Sequence, residues 1–174
     1  MMPPVLETDR LILRPPAMDD WPAFRAFSLD DRSRYVRPDP VTEGLAWRGF
    51  AHAAGMWALM GFGSFVFHDR DTDAALGMTG PWYPADWPEP EIGWTVWSAE
   101  AEGRGYAFEA ATEARLWAAR ELGWDRPVSY IDAANHRSIA LAERLGCTLD
   151  AHAAFPVPDR PGYVYRHPSL RGDA

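Results

Sequence analysis

The chain holds a single cysteine, Cys147, in 174 residues, so it can close no internal disulfide and build no thiolate metal cluster. Positive charge is also scarce: 17 lysines and arginines against 25 acidic residues leave a formal charge of −8. A nucleic-acid-binding protein needs a basic face to neutralise phosphates, so no nucleic acid is expected as a partner. The same acidic excess weakly favours a cationic partner such as an amine. No run approaches the roughly 18 apolar residues of a membrane span. Met1 to Arg10 lacks the basic-then-apolar order of a secretory signal. These absences predict a cytoplasmic protein with no membrane partner. The histidines His52, His68, His136, His152 and His167 show no HExxH or comparable ligand spacing, so no metal is expected.

What is present is ample core material. With 47% hydrophobic residues, 1–174 reads as one domain with a real core, ending in a loose tail over 169–174. Cys147 follows the helix-stopping Gly146 and reads as a buried small hydrophobe. Nine tryptophans are many for this size, and Trp82, Trp87, Trp94 and Trp97 lie close together. Large aromatics are usually core or interface material, and here they surround a candidate site.

The pattern along the chain predicts a mixed α/β (α+β) domain. Leu11-Ile12-Leu13 reads as a strand. Asp19 or Asp20 can cap a helix running to about Phe27, with Pro22 tolerated in its first turn. A second helix spans about Thr42 to Met60, weakened by Gly44, Gly49 and Gly55. Gly63 to His68 and Ala74 to Thr79 read as an antiparallel pair across a turn at 69–73. A loop rich in proline and tryptophan follows from Pro81 to Pro90, and then a strand over Glu91 to Trp97. Ala107, Ala110, Ala111, Ala114, Trp117 and Ala118 make a helical stripe, which Gly123 ends. Val128 to Ile131 is a strand, and Asn135 caps a helix that stops at Gly146. Strands at Cys147 to Leu149 and Tyr163 to Arg166 close the chain.

The segment Glu102-Gly103-Arg104-Gly105-Tyr106-Ala107 lies between a strand and a long helix. Two glycines let the backbone turn tightly and present consecutive N–H groups at the positive end of a helix dipole, a site suited to a pyrophosphate. Arg104 can add a charge-assisted contact. Alone, the loop reads equally well as a strand-to-helix turn without function. It is neither a GxGxxG dinucleotide loop nor a P-loop.

Taken with its surroundings, the chain resembles the GNAT superfamily of N-acetyltransferases, particularly the branch of the ribosomal-protein N-terminal acetyltransferases. Leu6-Glu7-Thr8-Asp9-Arg10-Leu11-Ile12-Leu13-Arg14 is similar to that branch's start, and Glu91-Ile92-Gly93-Trp94-Thr95-Val96-Trp97 to its fourth strand. The glycine loop resembles the family's Q/R-x-x-G-x-G/A signature, with Glu102 where Gln or Arg is usual. Asn135-His136-Arg137-Ser138 leading to Glu143-Arg144-Leu145-Gly146 is similar to its C-terminal helix. The resemblance covers nearly the whole chain. It implies an acyl-CoA N-acyltransferase fold with a twisted, mostly antiparallel sheet, acetyl-CoA as donor, and a homodimer as one possible assembly.

It also implies direct attack of an amine on the thioester, which requires a base, an oxyanion donor and an acid. Glu91 is the candidate base, desolvated by Trp87, Pro90 and Trp94; the alternative is that it only flanks a strand. A backbone N–H within Thr95, Val96 and Trp97 is the candidate oxyanion donor. Ser138 is the candidate acid, with Tyr130 and Tyr106 behind it; alternatively its hydroxyl simply occupies the first turn of a helix. Gly103, Arg104, Gly105, Tyr106, Ala107, Asn135 and Ser138 are the further cofactor-binding candidates. The acceptor side is expected in residues 19–60, Pro81 to Pro90 and Pro156 to Pro161, with Trp82, Tyr83, Trp87 and Trp94 walling a pocket for a small amine or a peptide N-terminus. A non-catalytic acyl-CoA-binding module of the same fold would need neither Glu91 nor Ser138.

Overall fold

The computed structural model describes residues 4–37 and 40–170. Strands β1 (Leu6–Glu7) and β2 (Leu11–Arg14) form a hairpin, and a 3-10 turn at Met18–Asp20 leads into helix α1 (Trp21–Leu29). Pro22 sits in the first turn of α1, where a missing N–H costs nothing. A second 3-10 turn, Asp31–Ser33, precedes α2 (Glu43–Met60), which Thr42 caps and Gly61 closes at φ 73°. Then come β3 (Phe65–Asp69), β4 (Ala75–Trp82), β5 (Glu91–Val96), α3 (Tyr106–Glu121), β6 (Val128–Asp132), α4 (His136–Arg144), β7 (Thr148–Leu149) and β8 (Gly162–Arg166).

The strands make one eight-stranded sheet in the order β1-β2-β3-β4-β5-β6-β8-β7. Every neighbouring pair is antiparallel except β5 and β6, which are parallel and share a single register pair, Glu91 with Val128. β4 runs past Thr79 to Trp82, so Pro81 lies in a strand rather than opening a loop. The register explains its tolerance: β3 ends opposite Thr79, so the donor that proline lacks falls where no neighbour remains.

Two faces of the sheet are covered. Leu11, Leu13, Phe65, Phe67 and Ile92 pack beneath Ala110, Ala114, Trp117 and Ala118 of α3. The small side chains of that helical stripe let the helix lie close to the large ones of the sheet. Val66 and Trp97, pointing the other way by strand alternation, pack with Phe24, Phe27 and Phe50 of α1 and α2. A third cluster joins Ile131, Ala142, Cys147 and Tyr165 beneath α4. Cys147 is buried there, and burial pushes its thiol up to about 11, in keeping with a packing role.

Two expectations need correcting. Ser169 and Leu170 are not loose: the Ser169 hydroxyl donates to Asp125 at 2.8 Å and the Leu170 amide at 3.3 Å, while 171–174 lie outside the described residues. Asp20 holds the N-cap position of α1, as expected, but its side chain accepts no hydrogen bond from the helix. Its carboxylate turns back to accept two hydrogen bonds from Arg14, at 2.8 and 2.9 Å, one from the Ala17 amide at 2.8 Å, and a contact from His68 Nε2 at 2.8 Å. Burial opposes its ionisation, but the hydrogen bonds from His68, Arg14 and Ala17 outweigh it and hold the carboxyl below its ordinary value.

Asp20→Ala is therefore expected to cost about 2–3 kcal/mol, read by urea unfolding at neutral pH, because it strands the partly buried Arg14 guanidinium and leaves the Ala17 amide without its acceptor. In the wild type the contribution is present above the ordinary carboxylate range and lost as pH falls through the lowered native value.

Candidate active site

β5 and β6 are tied at their first residues by the Val128 amide, which donates to Pro90 O at 3.0 Å, and then part. One residue along, a side chain stands in for the missing ladder: Ser129 Oγ donates to Ile92 O at 2.7 Å and contacts His167 Nε2 at 2.9 Å. Burial holds His167 neutral, pushing its pKa to about 3. With the Ser129 proton given to Ile92, the neutral ring must carry its own proton on Nε2. Further along β5 the backbone groups of alternate residues have no strand to face. The Trp97 amide donates to Leu76 O at 2.9 Å, toward β4. Strand alternation turns Thr95 the same way and points the amides of Trp94 and Val96 into the gap. Of the three expected oxyanion donors only Val96 is left, since Trp97 is committed to β4 and its indole to Thr95 Oγ1 at 3.0 Å.

Where the strands part, a cavity of about 340 Å³ opens toward α1 and α2. Glu91 lies at its apex, 8% exposed. Its carboxylate accepts a hydrogen bond from Trp87 Nε1 at 2.5 Å and, at 3.4 Å, from the Tyr130 amide. Burial dominates over these two donors and raises the carboxyl to about 7. A group half-ionised at neutral pH is matched to accepting a proton in turnover. Trp87 is thus both wall and hydrogen-bond donor.

Asn135 and Ser138 border the same cavity. Asn135 Oδ1 caps α4 by accepting the Ser138 amide at 3.2 Å. Ser138 Oγ accepts from Trp94 Nε1 at 3.2 Å, which leaves its own proton available to donate. Tyr130 also borders the cavity; its hydroxyl accepts the Glu89 amide at 3.1 Å, and burial pushes the phenol up to about 12. Tyr106, the other tyrosine considered as an acid, is buried under the glycine loop with its hydroxyl 3.4 Å from Asp69, away from the cavity.

The glycine loop is held from outside. Thr8 Oγ1 and Arg10 Nε donate to Glu109, at 2.6 and 2.7 Å, clasping the β1–β2 hairpin to the first turn of α3. Arg10 Nη1 donates to Arg104 O at 2.9 Å. Gly103 and Gly105 take φ of 70° and 81°, the left-handed region where a side chain is strained. The first closing bond of α3 runs from the Glu109 amide to Gly105 O, so the amides of Tyr106, Ala107 and Phe108 precede it and have no intrahelical acceptor. Glu102 does not face this cradle unopposed: Arg32 and Arg137 both pair with its carboxylate. The repulsion that a carboxylate would exert on a phosphate is thereby offset. Arg104 is exposed, its guanidinium lying over the Tyr106 ring at 5.3 Å from the centroid.

Trp82, Trp87 and Trp94 line the cavity as expected, whereas Tyr83 does not; it stacks edge-on against Trp124 at 6.3 Å, on the outside. The three expected acceptor regions all contribute: Phe24 and Arg37 from the first, Trp87 from the second, Arg160 from the third. Arg37 and Arg160 escaped the sequence reading because they stand in irregular segments, where periodicity carries no signal. Asp132, at the end of β6, was missed for another reason: nothing in a strand pattern shows that it anchors Arg160, whose Nε donates to Asp132 Oδ2 at 2.8 Å.

Residues 10–148 match the family described as the acetyltransferase (GNAT) domain. No curated protein matches the chain significantly. Among solved structures, an acetyltransferase from Agrobacterium tumefaciens is 38% identical, with a TM-score of 0.87 over 96% of this chain and 95% of that one. A GnaT-family acetyltransferase from Bordetella pertussis is 29% identical, with a TM-score of 0.76 over 95% and 99%. The ribosomal L7/L12 alpha-N-protein acetyltransferase RimL, solved with coenzyme A, shares the fold at 15% identity, with a TM-score of 0.75 over 98% and 100%. An eight-stranded sheet that parts between β5 and β6, a glycine cradle opening α3 and a family match over most of the length agree: this chain belongs to the GNAT acetyltransferase family.

Proposed function

We propose that the protein moves the acetyl group of acetyl-CoA to a primary amine, on a small molecule or a peptide N-terminus, by direct attack. The observation that carries this reading is Glu91, a buried carboxylate raised to about 7 at the apex of the parted strands. The donor fits the residues present. The free amides at the start of α3 and the positive-φ glycines suit its pyrophosphate, Glu102 is neutralised, and the unpaired edge of β5 suits an amide-bearing arm. When bound, acetyl-CoA supplies an activated acyl thioester: the amine forms the new C–N bond, the C–S bond breaks, and coenzyme A leaves as a thiol.

The chain's own residues supply the rest. Glu91 Oε accepts the proton that an arriving ammonium must lose, directly or through a water. The Val96 amide stays available to donate into the gap where negative charge develops. Ser138 Oγ holds a donatable proton, positioned by Trp94 and by the capped first turn of α4. A non-catalytic acyl-CoA-binding module would gain nothing from burying a carboxylate at the apex, because burying it costs stability.

Isothermal titration is expected to give acetyl-CoA binding, with no response to NADH or ATP. Gly105→Asp places a carboxylate and a Cβ at the left-handed cap and is expected to weaken binding about tenfold or more, while Glu102→Gln changes it far less. Equal losses in the two variants would remove the loop from the reading. Glu91 is testable without knowing the acceptor. Its pKa is raised on folding, so its ionisation costs nothing below the ordinary carboxylate range and most above about 7. Glu91→Gln is therefore expected to match wild type at acid pH and to exceed it in stability well above pH 7, by on the order of 3 kcal/mol in urea unfolding. With an accepted amine, wild-type kcat rises with pH through about 7, and Glu91→Gln loses about 100-fold together with that inflection. An unchanged rate at neutral pH would exclude Glu91 as base.

A further inference from the structure

Among the described residues, the cavity holds one cation without an ion-pair partner. Arg37 follows the 3-10 turn at Asp31–Ser33, its amide donating to Ser33 O at 2.8 Å, and its half-buried guanidinium lines the cavity that contains Glu91. The guanidinium lies over the Phe24 ring, 5.6 Å from its centroid, and against α2 at Gly49. A Cβ on Gly49 would fall 2.1 Å from Arg37 Nη2, so the bare backbone of a mid-helix glycine makes the room. That glycine costs α2 about 1 kcal/mol relative to alanine, a cost with a purpose if the guanidinium must sit there.

Every other charged group that lines this cavity is engaged. Arg160 pairs with Asp132 and donates to the Tyr35 carbonyl. Asp132 also accepts the Ala134 amide at 2.9 Å, and Glu91 is held by Trp87 and the Tyr130 amide. Among the described residues no carboxylate forms an ion pair with Arg37, and burial depresses its pKa without unseating a proton that a guanidinium always keeps. Partly buried charges are ordinarily paired, and a fork of N–H donors opening into a substrate cavity matches a carboxylate in two-point geometry. The chain's net charge of −8 would repel an acidic acceptor at long range, so its recognition has to be local.

We propose that Arg37 selects the acceptor: the amine acetylated here carries a carboxylate, bound by the Arg37 guanidinium, and an apolar or aromatic body seated among Phe24, Phe27, Tyr130 and Phe155. This rests on the acetyltransferase reading above and deepens it. The cavity of about 340 Å³ lies at the small end of ligand sites, a size for an amino acid or the first residues of an acidic peptide. The carboxylate is the chemistry shared by both sources.

The test uses matched acceptors in an assay of coenzyme A release: phenylalanine against phenethylamine for the free amino acid, and a short peptide with aspartate in its second position against its asparagine counterpart. In wild type the carboxylated member of at least one pair is expected to be favoured about tenfold or more in kcat/KM, and the pair that shows it names the source. In Arg37→Gln that ratio collapses toward one, chiefly through KM, and Arg37→Lys recovers part of it. Gly49→Ala serves as an independent variant: it displaces only the flexible end of Arg37, keeps the charge, and is expected to lower the same ratio while α2 is as stable or more so. A wild-type ratio near one in both pairs overturns the proposal, as does a ratio that persists in Arg37→Gln. Acetyl-CoA binding without turnover of any of the four acceptors also overturns it, leaving the acetyltransferase reading intact. Absence of acetyl-CoA binding overturns that reading itself.

Discussion

Beyond Glu91, β5 and β6 stop exchanging hydrogen bonds, and the remainder of the molecule is arranged around that gap. A parallel pair that parts after one register position would normally leave two rows of unsatisfied backbone groups. Here the Ser129 hydroxyl takes up the first of them at Ile92 O, and antiparallel partners on either side, β4 and β8, keep both strands rigid while they diverge. The opening is therefore a wedge in a stiff sheet rather than a loose end. Its apex carries Glu91 and its flank carries Ser138, and the chain that leaves the far end of β5 runs into the glycine cradle at the start of α3.

The site spends stability in several places. Glu91 is buried with two hydrogen-bond donors and, among the described residues, no ion-pair partner; Arg37 lines the cavity likewise without one, and α2 accommodates a glycine in its middle. Away from the site, the Arg14–Asp20–His68 cluster and the Arg166 bridge to Glu89 and Asp150 pair their charges, while the buried Arg115 guanidinium donates to the Pro168 carbonyl and leaves its Nε without a partner among the described residues.

Much of this was legible in residue pattern. The alanine stripe of α3, the caps at Thr42 and Asn135, the left-handed glycines at 123 and 146, and the cradle at 103–105 are local features, and local rules found them. Glu91 was found because proline and tryptophan crowd it in sequence as they do in space. Tyr83 was misread by the same argument, since a neighbour in sequence can point to the opposite side of the sheet, where Trp124 meets it. Arg37 was missed because it stands in an irregular segment, and Asp132 because its partner, Arg160, stands far along the chain.

By itself the sequence determined the order and type of elements, the family resemblance, and the residues available for proton transfer, because caps, periodicity and signature spacing are short-range. Only the tertiary structure decided where β5 leaves β6, that Glu102 is neutralised by two arginines from distant segments, that Trp97 is spent on β4 while Val96 is not, and that the Arg37 cation enters the cavity with no ion-pair partner among the described residues. Each of those depends on register or on burial, and both are set by packing between residues that the chain brings together only when it folds.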